Sequence, residues 1–81
     1  MSNRRLKQEG LLVRFKGERA KLEDTAKMYL GEIEDGTFYV DTPLALNPNQ
    51  IVNAAVGLKE TLAQAARVQG RIDELEEELG L

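Results

Sequence analysis

Asn47-Pro48-Asn49-Gln50 is a helix start, and behind it run about thirty residues of helical periodicity. Asn47 is placed to accept a hydrogen bond from a free amide of the first turn. Pro48 stands where a missing N–H costs nothing, and Gln50 stands where a capping box puts its reciprocal partner. The apolar seam behind it reads Ile51, Ala55, Leu58, Leu62, Ala65, then Val68 or Gln69, then Ile72, Leu75 and Leu79, with Gly80 as the stop. These signals predict a helix over about 48–79.

The segment in front carries a seam of its own. From Leu12 apolar residues step by three and four through Phe15, Leu22, Ala26, Tyr29 and Ile33, with Arg19 as a charged interruption. Asp35-Gly36 reads as the stop, because glycine takes the left-handed conformation that ends helices at little cost. A first helix over about 3–35 and a connection over 36–47 follow. Each helix is then about 32 residues, or roughly 48 Å long. The expected fold is all-α: one domain over 1–81, a coiled-coil-like antiparallel two-helix hairpin that dimerises into a four-helix bundle.

Charge distribution supports that orientation. Arg4, Arg5, Lys7, Arg14, Lys16, Arg19 and Lys21 make a basic head, while Asp73, Glu74, Glu76, Glu77 and Glu78 make an acidic tail. A hairpin sets one beside the other. Helix dipoles do not explain the pattern, since cations at an N-terminus and anions at a C-terminus are both unfavourable.

Composition narrows the chemistry. The 81 residues include neither cysteine nor histidine, so disulfides are excluded and zinc or haem loses its commonest ligands. Catalysis would fall to carboxylates or a lysine, and the acidic tail reads as a solvated or salt-bridged helix end without the alternating ligands of a calcium loop. No cofactor, metal or small-molecule substrate is expected, and the chain is expected not to be an enzyme. The longest uncharged stretch holds two prolines, far from a membrane span, so a cytoplasmic location without membrane contact is expected.

What remains is surface. Gly10, Gly17 and Gly31 fall at one outward heptad position, where an exposed mid-helix glycine costs about 1 kcal/mol relative to alanine. Fraying near Gly10, local bending or register drift would account for them; a smooth stripe for another helix is the sharper reading. Ala54 and Ala66 flank the seam of the second helix and widen it toward a third or fourth helix. Phe38 and Tyr39 hold half of the chain's aromatics, in a stretch that either caps the open end of the helix pair with Phe38 and Val40 or forms a small recognition loop. A protein partner, first a second copy, is the leading expectation. The alternative is a nucleic-acid accessory role for the basic segment, with Arg4, Arg5, Lys7 and Arg14 as phosphate contacts; the acidic tail and negative net charge count against it.

Arg5-Leu6-Lys7-Gln8-Glu9-Gly10, the connection over 44–50 into an Ile51-led alanine helix, and the closing Ile72-Asp73-Glu74-Leu75 with Leu79-Gly80 resemble small uncharacterised proteins of Mu-like transposable prophages. The resemblance implies a bacterial cytoplasm and a phage-encoded accessory role. It implies no activity, and residues 37–42 depart from the pattern.

Overall fold

The computed structural model describes residues 3–38 and 40–81, and they form an antiparallel hairpin of two long helices. Helix α1 runs Asn3–Phe38, a 3-10 turn covers Pro43–Ala45, and helix α2 runs Pro48–Leu79. Gln8 bonds Glu78 at the terminal end, and Gly36 meets Ile51 at the connection end, so the two helices match along a rod of 64 × 16 × 14 Å.

The start of α2 follows its sequence signal. Asn47 is extended, and its Oδ1 accepts from the Gln50 amide at 3.2 Å. The reciprocal half of the box does not form: the Gln50 side chain lies toward Gly36 of α1. At the far end Gly80 is left-handed, with φ 75°, and the Leu81 amide reaches the Glu76 carbonyl at 2.8 Å, closing the last turn. Asn47→Ala is expected to lower stability by about 1 kcal/mol, read from urea unfolding, because it orphans a first-turn amide.

Gly36 does not end α1. Among the described residues only Gly80 has a positive φ, and α1 continues for two residues beyond Gly36. Thr37 is held in the helix by its hydroxyl, which donates to the Ile33 carbonyl at 2.8 Å. A methyl group at Gly36 would sit 3.5 Å from Ile51, at ordinary contact distance. The connection is therefore shorter than 36–47. Phe38 lies in the last turn of α1 and is 80% exposed, so it does not cap the helix pair; Val40 is half-buried, and Tyr39 lies outside the described residues. No strand forms among the described residues.

The α1 seam is as expected, with Leu12 buried and Phe15, Leu22, Ala26, Tyr29 and Ile33 half-buried. The α2 seam differs in its first half. It runs Ile51, Ala54, Leu58, Thr61, Ala65, Val68, Ile72, Leu75 and Leu79, so Ala54 and Thr61 take the places expected of Ala55 and Leu62. Tyr29 causes the change. Its ring lies on Gly57, so α2 must present its narrow side, Ala54, Gly57 and Thr61, to α1. The buried Thr61 hydroxyl is satisfied by the Gly57 carbonyl at 2.8 Å.

Candidate interaction surface

Because the seam turns, two apolar residues expected in the core stand outside. Ala55 is exposed and Leu62 is 55% exposed, while their neighbour Ala54 is 1% exposed. Burying a threonine beside an exposed leucine inverts ordinary preference, and such inversions carry more information than a scattered exposed side chain. Leu62 does not stand alone. Val52, Val56, Ala63 and Ala66 are exposed on the same side of α2, since they recur at helical spacing around Lys59. Ala66 therefore lies where the sequence predicts an interface residue, and Ala54 does not: it is committed to the hairpin's own seam.

Leu30 of α1 joins this flank. The Lys16–Glu76 ion pair, at 3.7 Å, marks which edges of α1 and α2 adjoin. Leu30 stands two heptads after Lys16 and Leu62 two heptads before Glu76, so both fall along that edge, and both are exposed.

The same edge is polar toward the chain termini. Arg19, the charged break in the α1 seam, leaves the seam and donates to Gln69 at 2.9 Å; Gln69 in turn donates to Asp73 at 2.8 Å. Arg19's departure leaves an open groove of about 410 Å³ on the opposite flank, floored by Leu22 and Val68 and rimmed by Glu18, Lys21, Gln64 and Arg67.

The expected pairing of basic head with acidic tail is present but thin. Among the described residues Lys16–Glu76 is the one ion pair between helices, joined by the Gln8–Glu78 hydrogen bond and by Arg71 over the Phe15 ring at 5.8 Å. The remaining ion pairs, Arg5–Glu9, Arg14–Glu18, Lys27–Glu23 and Arg71–Glu74, lie within one helix. Exposed pairs of this kind contribute about 0–1 kcal/mol each. Two of the four candidate nucleic-acid contacts, Arg5 and Arg14, are thus already engaged, whereas Arg4 and Lys7 make no ion pair among the described residues.

The outward glycines Gly10, Gly17 and Gly31 each face open space: a methyl group placed on any of them would meet no other side chain within 4 Å. Gly17→Ala is expected to raise thermal stability by about 1 kcal/mol, since nothing opposes the gain in helix propensity.

No family model, curated protein or solved structure matches the chain. No described helix is long and apolar enough to cross a membrane.

Proposed function

We propose that this chain is a noncatalytic helical module that works by binding protein, beginning with a second copy of itself, so that two hairpins form a four-helix bundle. The observation that carries the reading is Leu62: it stands 55% exposed, with Val52, Val56, Ala55, Ala63 and Ala66 exposed on the same side of α2, while Thr61 is buried. A two-helix core is thin. Only five apolar residues among those described are buried, and small scaffolds of this kind commonly complete their cores by association. The resemblance to Mu-like prophage proteins fits an accessory role in a bacterial cytoplasm, with host or phage protein as the further partner.

Sedimentation equilibrium across the micromolar range tests the self-association. A mass that rises with concentration to that of two chains supports it, and a monomer throughout removes it. A second reading, nucleic-acid binding by the basic N-terminal segment, is favoured by Arg4 and Lys7, which make no ion pair among the described residues. A fluorescence titration at low salt decides it, because phosphate contacts of this kind weaken steeply as salt rises.

A further inference from the structure

We infer that the groove floored by Leu22 and Val68 binds a small organic anion, a compact apolar body carrying a single carboxylate or sulfonate that is held between Lys21 and Arg67. The inference goes beyond the self-association proposed above, and the groove lies on the opposite flank from Leu62. Its volume of about 410 Å³ falls at the low end of small-ligand sites, which run from about 300 to 1,000 Å³. Leu22 and Val68 supply an apolar floor, and both are half-buried. Arg19 stands at a seam position where a leucine would pack, yet it turns away to Gln69, so the chain gives up apolar burial at this level of the rod. Departures from core patterning gather where a chain does something besides fold.

The rim sets the sign of the ligand. Glu18, Lys21, Gln64 and Arg67 surround the floor, and their charges do not cancel. Glu18 is met by Nε of Arg14 at 3.4 Å, whereas Lys21 and Arg67 make no ion pair and no side-chain hydrogen bond among the described residues. Two cations with no partner therefore stand over an apolar floor whose single carboxylate is already engaged. A guanidinium takes a carboxylate or sulfonate as a forked pair, and an ammonium beside it adds a point charge. Extent decides between a small ligand and a docked helix. A helix needs anchors at i, i+3, i+4 and i+7 along a continuous apolar groove. Here, one heptad toward the termini, Arg71 lies over the Phe15 ring at 5.8 Å, so the apolar floor does not continue.

Anilinonaphthalene sulfonate is a probe of this chemistry, and phenyl-naphthylamine offers the same rings without the anion. Fluorescence titration of the full chain is expected to give one site for the sulfonate, with Kd on the order of 0.1 mM because the groove is open on one side. Lys21→Gln combined with Arg67→Gln changes two exposed side chains outside the seam, so the hairpin is expected to keep its helicity. The pair of changes should weaken the sulfonate by about 10-fold and leave the neutral compound as it was. Amide NMR of the same titration locates the site, with signals around Leu22 and Val68 moving first. Equal loss for both compounds, no loss for either, or shifts centred on residues 52–66 of α2 would overturn the inference. Signals at Leu22 and Val68 that move when protein concentration alone is raised would also overturn it, because they give the groove to a second copy.

Discussion

Ile72→Ala is expected to lower the stability of the hairpin by about 2–5 kcal/mol, the largest loss available from a single truncation here. Ile72 is the one large side chain among the described residues that is fully enclosed, at 0% exposure, and it packs with Leu12, Leu75 and Leu79, with Leu11, Phe15 and Val68 around them. The loss combines the transfer energy of the removed carbons with a cavity that a two-helix layer closes only by drawing the backbones together. Domains of ordinary size hold about 5–15 kcal/mol in all, and one this small stands at the low end, so the variant should be largely unfolded at 37 °C. Circular dichroism through a thermal scan reads it. Leu62→Ala, compared at a concentration where the chain is monomeric, should change stability by no more than about 0.5 kcal/mol. Equal losses at positions 62 and 72 would contradict the packing of α2 on α1.

Gly57→Ala should cost about 1–3 kcal/mol, although the same change in an open helix is stabilising. A methyl group at Gly57 would lie 2.5 Å from Cε1 and Cζ of Tyr29 and 2.9 Å from Cε2. Either the ring swings off α2, giving up its contact, or the helices part along the half where small residues hold them close. Gly17→Ala is the matched control, because it shares the propensity gain and meets nothing. For a domain of this size each kcal/mol moves the melting midpoint by about 4–8 °C, so the two alanines should separate clearly in opposite directions. If Gly57→Ala stabilises as Gly17→Ala does, Tyr29 does not determine the register of α2.

That register is also where the sequence ceases to be legible. The helix start at Asn47 is readable because it depends on a side chain and an amide three residues apart. The seam from Val68 to Leu79 is readable because Ile72, Leu75 and Leu79 are large and their neighbours charged. Between Ile51 and Ala66 both members of adjacent pairs are apolar, Ala54 with Ala55 and Ala65 with Ala66, and periodicity alone does not choose between them. The choice comes from Tyr29, far away in the chain, whose ring requires glycine and alanine opposite. Gly36 misleads because a glycine ends a helix only where it turns left-handed, and here φ is not positive and α1 runs on through Thr37 and Phe38. Placing Leu62 in the seam hides the exposed apolar face of α2.

Arg19 and the groove beside it divide the rod into unequal halves. Toward the termini lie the buried Leu12, Ile72, Leu75 and Leu79 with Phe15 and Val68; toward the connection the helices meet through Leu22, Ala26, Tyr29, Ile33, Ile51, Ala54, Gly57, Leu58 and Thr61, of which only Ala54 and Thr61 are buried. Opening free energies follow buried contacts, so the hairpin should breathe from its connection like a clothes-peg sprung at the termini, with amides near Tyr29 and Gly57 exchanging before those near Leu12 and Ile72. The exposed apolar face lies on that looser half. A partner seated there would clamp the jaws, and slowed exchange around Gly57 would report its arrival.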